Sequence, residues 1–222
     1  MKKKALVIGG VTYDTMIYMD KFPEPKPQTF FSNGFNQTVG GTGAGKSMAL
    51  RRLGFQTTLH ALIGNDAPGR KVRDYLRKEK VQFNYEVDPK GTEMHTNLMN
   101  SEGSRISIYM NYASFGPHVH LNRISGYIDK SDYILLNIIN YARLAIPLIK
   151  KAGKEIWCDI HDYDGKNEYH REFIDSADYL FMSSDDLPDY KDFMEKMIIS
   201  GKKAVICTHG AKGASAMTEK DG

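Results

Sequence analysis

Gly40-Gly-Thr-Gly-Ala-Gly-Lys46-Ser47 is the stretch on which the fold turns, because it admits two incompatible readings. Letter by letter it matches G-x-x-x-x-G-K-[ST], a loop whose backbone N–H groups face an anion at a helix start. In that reading Lys46 reaches a terminal phosphate and Ser47 a magnesium ion. Such a loop needs a buried strand directly before it. The residues before it are Asn33-Gly-Phe-Asn-Gln-Thr-Val39, where Val39 alone is aliphatic. A convincing buried strand, Ala5–Ile8, lies far upstream, across Phe22-Pro-Glu-Pro-Lys-Pro27. In the second reading Gly40–Gly41 opens a helix and brings backbone close to a ligand, because no Cβ intervenes.

Outward from this stretch the chain alternates short apolar runs with helical periods. Ala44–Leu53 reads as a helix stopped by Gly54, and Thr57–Ile63 as a strand closed by Gly64-Asn-Asp66. Pro68–Lys80 reads as a second helix, and Phe83–Val87 as extended. Upstream, Thr12–Asp20 alternates, the prolines forbid regular structure, and Thr29–Val39 reads as irregular and extended. Downstream come strands at 133–139, 155–159, 179–182 and 204–207, with helices at 142–152, 171–177 and 190–200 between them. This order predicts a doubly wound, mostly parallel α/β sheet with helices on both faces. Thr96–Asn100 and Arg105–Met110 flank Ser101-Glu-Gly-Ser104, a hairpin that interrupts the alternation. Together with part of Thr12–Val39, the segment 83–116 predicts a small β-sheet lid inserted in a single domain over 1–222. Ile106, Ile108 and Met110 share one face of that lid, with Met94 and Met99 packing beside them.

Composition excludes several classes. Hydrophobic residues make up 41% and charged residues 26% of the chain, values of an ordinary globular protein and not of a disordered one. No apolar run approaches the ~20 residues that cross a bilayer. Thirty basic and 27 acidic residues leave a net charge of +3, which demands neither nucleic acid nor a membrane as partner. The basic run Arg70–Lys80 has helical spacing and reads as a solvated helix face. Cys158 and Cys207 sit among apolar residues as small buried side chains, so the expected compartment is reducing and cytoplasmic.

Four pieces occur in a telling order. Leu6-Val-Ile-Gly9 is followed by Asp14; Gly40–Gly41 opens a helix that ends Arg52-Leu-Gly-Phe55. Leu62-Ile-Gly-Asn-Asp66 precedes Gly69; Thr208-His-Gly210-Ala-Lys-Gly213-Ala214 comes late. This order resembles the ribokinase-like (PfkB) family of sugar and nucleoside kinases. The resemblance implies ATP and Mg2+ as cofactors, a sugar or nucleoside as acceptor, and phosphoryl transfer to a hydroxyl. It implies that Asp14 binds substrate hydroxyls, with Gly40, Gly41 and Gly45 at the substrate and Thr208, Gly210 and Gly213 at the nucleotide. It also implies a lid that covers substrate and pairs two chains as a homodimer.

The chain departs from the family in three places. Gly45 stands where an asparagine usually touches the sugar. Ser183-Ser-Asp185-Asp186 replaces an asparagine followed by glutamates, leaving Asp185 or Asp186 for the metal. The D-T-x-G-A-G-D segment that carries the catalytic base does not occur, so the base is expected beyond residue 222 and the chain reads as C-terminally truncated. A phosphate-loop nucleotide hydrolase and a non-catalytic sugar-binding derivative of the kinase fold remain as alternatives. Asp159-Ile-His161-Asp162-Tyr-Asp164 follows a strand end, where open α/β sheets bind ligands, and is a candidate for the phosphate or metal side. His118-Val-His120 lacks a third ligand nearby and reads as surface or loop.

Overall fold

The computed structural model describes residues 2–220. Its first half runs β1 (Lys4–Ile8), β2 (Thr12–Tyr18), β3 (Gly34–Gly40), α1 (Thr42–Arg52), β4 (Gln56–Ile63), α2 (Ala67–Lys78) and β5 (Gln82–Val87). Then follow β6 (Met94–Met99), β7 (Arg105–Asn111), α3 (Leu121–Asp129), β8 (Tyr133–Asn137), α4 (Ile146–Lys151) and β9 (Ile156–Asp159). Last come α5 (Arg171–Ser176), β10 (Tyr179–Ser183), α6 (Tyr190–Ile199), β11 (Ala204–Thr208) and β12 (Ala214–Thr218).

Eight strands form the main sheet in the order β12-β11-β10-β9-β8-β1-β4-β5. All its pairings are parallel except β11 with β12. β1 lies between β8 and β4, and residues 5–8 are buried on both faces. Leu6 and Ile8 pack with Ile124 and Ile128 of α3 and Ile146 and Ile149 of α4. Val7 points the other way, to the cluster holding Ala44 of α1 and Val72 and Leu76 of α2. One strand thus feeds two helix layers, and each such aliphatic side chain contributes about 1.5–3 kcal/mol of burial. Cys158 and Cys207 are free and buried, as expected. The basic run lies on α2, with Val72 and Leu76 inward and Arg70 and Arg77 outward.

Several expectations need correction. Thr29–Val39 is not irregular throughout: β3 pairs along its whole length with β2, so backbone bonds supply what its polar side chains do not advertise. The 83–116 lid boundary is too early, because β5 pairs in parallel with β4 at the edge of the main sheet. Phe83 and Tyr85 stack on each other, 5.4 Å between centroids, and pack against the α2 layer. The predicted 142–152 helix is a 3-10 turn over Asn140–Ala145 followed by α4. α3 and β12 lie where no element was expected.

The lid is a four-stranded sheet in the order β3-β2-β6-β7. Two carboxylates fasten its root. Asp66, the N-cap of α2, accepts from Gly69 N at 2.8 Å, Thr92 Oγ1 at 2.6 Å and Thr92 N at 2.8 Å. Asp88 accepts from Ser114 Oγ at 2.6 Å and Ser114 N at 2.7 Å. The strand leaving the main sheet and the strand returning to it are therefore both pinned.

Behind this root, Glu86 accepts from the N–H of His120, 3.0 Å away, and lies 2.6 Å from His120 Nδ1, fixing the start of α3. His118 meets His120 edge-on, and no metal-binding group of three or more His, Cys, Asp or Glu occurs among the described residues. His60 is buried beside Glu86 and Tyr141. Burial pushes its pKa down from 6.5 to about 4, against the pull of Glu86. The sign follows from proton uptake: between 6.5 and about 4 the unfolded chain binds a proton that the folded chain refuses. Stability is full above 6.5 and falls as pH drops through this window, by about 3 kcal/mol at ~1.4 kcal/mol per pH unit. Urea midpoints of the wild type and a His60→Gln variant from pH 7 to 4 test this. A wild-type midpoint that falls no faster than the variant's sinks the prediction.

Candidate active site

The carboxyl ends of the parallel strands β1, β8, β9, β10 and β11 lie along one edge of the main sheet. At the β1 end the chain runs through Gly9–Gly10 into β2, where Asp14 is only 7% exposed. Asp14 Oδ1 accepts from His95 N at 3.2 Å, and its ring neighbour His95 lies 4.0 Å from Tyr109, centroid to centroid. A Cβ on Gly40 would collide with Asp14 Oδ2 and come 2.7 Å from Thr12 Oγ1. Asp14 therefore lies directly against Gly40. Gly41 has φ +87°, and a Cβ there would stand 2.7 Å from the Gly10 carbonyl oxygen. Thr12 Oγ1 is buried without a hydrogen-bond partner among the described residues.

The phosphate-loop reading of Gly40–Ser47 is overturned here. α1 begins at Thr42, before the lysine, so the loop that would wrap a phosphate is already helix. Gly43 N and Ala44 N are spent on the Gly10 carbonyl, and Gly45 N on Gly41 O. Ser47 is fully buried, its hydroxyl donating to Gly43 O at 2.8 Å, out of a metal's reach. Lys46 instead pairs with Asp159 at 2.8 Å, reaching from α1 to the end of β9.

Burial disfavours the charge on Asp159, but Lys46 and then His161 outweigh it and hold the carboxyl below its ordinary range. His161 N donates to Asp159 Oδ1, and its backbone takes a left-handed φ of 55°. Asn137, at the end of β8, donates to Thr42 Oγ1 at 2.6 Å between these two ends of the cleft. Above them, burial raises the Tyr109 phenol, helped by Glu93, Asp162 and Asp14.

Further along the edge, Thr208 and the turn Gly210–Gly213 follow β11. Gly210 and Gly213 have φ of 56° and 95°, which fits their places in the turn. His209 ties this turn to β10 and β12, 2.9 Å from both Ser184 Oγ and Ser215 Oγ. Asp185 and Asp186 are exposed at the end of β10. Hard carboxylate oxygens free to accept a hydrated ion suit Mg2+, which takes one or two protein carboxylates plus phosphates. Gly45 is exposed, and a Cβ there would meet nothing within 4 Å. His95, Tyr109, Asn137 and the pairing of Lys46 with Asp159 were missed in the sequence. The run Asp159–Asp164 was legible as a candidate, and its first carboxylate pairs with Lys46 of α1.

A family model described as pfkB family carbohydrate kinase matches residues 2–222. The chain belongs to this family. An acarbose 7(IV)-phosphotransferase from Actinoplanes sp. is 24% identical over 214 residues, covering 96% of this chain and 72% of the relative. Among solved structures, a microbiome-derived acarbose kinase, Mak1, superposes with TM-score 0.89 at 28% identity, covering 100% of this chain and 74% of that one. Arabidopsis thaliana ribokinase complexed with ribose and ATP gives TM-score 0.80 at 18% identity, over 100% and 77%. The ribokinase-like fold expected from the motif order is thus the fold found. No helix among the described residues is long and apolar enough to cross a membrane.

Proposed function

We propose that this chain carries the acceptor and nucleotide sites of an ATP-dependent sugar kinase. The observation that carries the reading is the buried Asp14 carboxylate set directly over Gly40 at the sheet's carboxyl edge. A carboxylate accepts two hydroxyl protons in charge-assisted hydrogen bonds and so fixes a polyol in one orientation. In the reaction the acceptor hydroxyl oxygen bonds to the γ-phosphorus, the bond from that phosphorus to the ADP oxygen breaks, and the hydroxyl proton leaves. Most of the catalytic effect is positioning and charge neutralisation. Thr208, Gly210 and Gly213 line the nucleotide side, and Asp185 and Asp186 would hold Mg2+, which neutralises phosphate charge. The lid excludes water and so favours transfer over hydrolysis. Two relatives that match along nearly the whole chain, at 24% and 28% identity, are named for acarbose, which favours a saccharide over a nucleoside. Ile106, Ile108 and Met110 on β7 are exposed, Met110 by 65%, and a second copy's lid would cover them in a homodimer.

The test is transfer of labelled γ-phosphate from MgATP by the full-length protein to ribose, glucose, maltotriose, acarbose or adenosine. Label on a saccharide is expected. Saccharide binding with no transfer would favour the non-catalytic derivative instead. Lys46→Ala should leave the Kd for ATP within about threefold of wild type, because the lysine faces Asp159; a phosphate-binding lysine would cost ~100-fold or more at 1.4 kcal/mol per decade. Titration calorimetry decides between the two.

A further inference from the structure

We propose that Lys46 and Asp159 form a second saccharide subsite, so that the acceptor is a glycoside of at least two rings. This rests on the sugar-kinase reading and deepens it. Asp14 lies on β2 against Gly40, and Asp159 at the end of β9 pairs with Lys46 of α1. Gly40 and Lys46 are six residues apart in sequence, about 9 Å at the helical rise of ~1.5 Å per residue, more than one hexose ring spans. One ring held by Asp14 does not touch Asp159; a second ring linked to the first does.

The chemistry at the far end suits a vicinal diol. The Lys46 ammonium carries three N–H donors, of which Asp159 takes one at 2.8 Å. Asp159 Oδ1 accepts a single backbone hydrogen bond and keeps further acceptor capacity. Each sugar hydroxyl both donates and accepts, so adjacent hydroxyls complement an ammonium beside a carboxylate. The side chains are 27% and 22% exposed, accessible to a ligand yet partly withdrawn from water. Gly45, next to Lys46 on α1, is exposed, and a Cβ there would meet nothing within 4 Å, so no side chain at that position crowds the lysine. Tyr109, 62% exposed on the lid, meets the ring of His95, whose backbone N–H donates to Asp14, and so offers a ring face beside the first subsite. A mere structural tie between α1 and β9 needs none of this openness.

The experiment compares maltotriose with glucose as acceptors for wild type, Lys46→Met and Asp159→Asn. Wild type should favour maltotriose in kcat/KM. Each variant should lower the maltotriose-to-glucose ratio by at least about tenfold, mostly through KM, as expected for losing a charge-assisted hydrogen bond. Melting temperatures identify a tie: a variant that lowers Tm while keeping the ratio overturns the subsite. Wild-type indifference to ring number overturns it too. Maltotriose binding is also read without ATP, from Trp157, two residues before Asp159 and the chain's one tryptophan. Ring-dependent binding that the variants lose, without phosphoryl transfer, sinks the kinase reading and upholds the subsite. Transfer to glucose and maltotriose alike, unchanged in ratio by the variants, does the reverse. Failure of the wild type to bind maltotriose overturns the subsite outright.

Discussion

Asp14→Asn is expected to lower kcat/KM for the sugar by about 100- to 1,000-fold while the protein stays folded. The side chain is isosteric and still accepts from His95 N, so the lid contact survives. What disappears is the negative charge that two acceptor hydroxyls need. Charge-assisted hydrogen bonds are worth about 1.5–3 kcal/mol each, and one to two of them account for that range. The loss should spare KM for ATP, whose proposed site lies beyond β10. Steady-state kinetics with each substrate varied in turn checks this. A variant within threefold of wild type would remove Asp14 from acceptor binding. Gly40→Ala should echo the defect more weakly, because its methyl displaces the same carboxylate.

Gly69→Ala should cost about 3 kcal/mol of stability, the range of the severe packing errors. The added methyl collides with the Gly64 carbonyl, a backbone atom that cannot rotate away. It also comes 2.8 Å from Thr92 Oγ1 and 3.0 Å from Asp66 Oδ1. Asp66 caps α2 and pins Thr92, so one methyl disturbs a helix cap and the lid root together. At about 2–4 °C per kcal/mol for a chain of this size, Tm should fall by about 6–12 °C. Calorimetry showing a drop under 2 °C would mean that the Asp66 node relaxes freely. Alanine at Gly126, where a Cβ meets nothing within 4 Å, is the matched control.

The main sheet was legible because its strands are buried on both faces and read as plain apolar runs: Leu6–Ile8, Ile134–Leu136 and Val205–Cys207 need no context. β3 was not, because Phe35, Asn36 and Gln37 face solvent and only its pairing with β2 makes it a strand. β5 was misplaced since its residues alternate as lid strands do; nothing local says that β4 is the partner. α3 is short, carries Gly126, and shows only Ile124 and Ile128 at a four-residue interval. In the site, Asp14 and Gly40–Gly41 were readable through motif order. Lys46 with Asp159 was not: 113 positions separate them, and no spacing rule links a helix to a strand with eight elements between them. The same lysine misled the loop reading, since its letters fit while the helix start at Thr42, four residues earlier, takes the amides away.

The wiring of the lid sets an order of assembly. Met16 and Asn97 touch across 81 positions of sequence, and β2 joins β6 through that contact. Closing a loop of that length costs on the order of 4 kcal/mol of chain entropy before any strand pair rewards it. β1, β4 and β5 with their helices shorten the gap first, so the acceptor's roof is raised on a finished floor. The same asymmetry holds in the native state. The roof can loosen and reseal while the floor stays intact, so Asp14 sits on the part of the molecule with the least at stake in holding the rest together, whereas Lys46 and Asp159 stand on the floor.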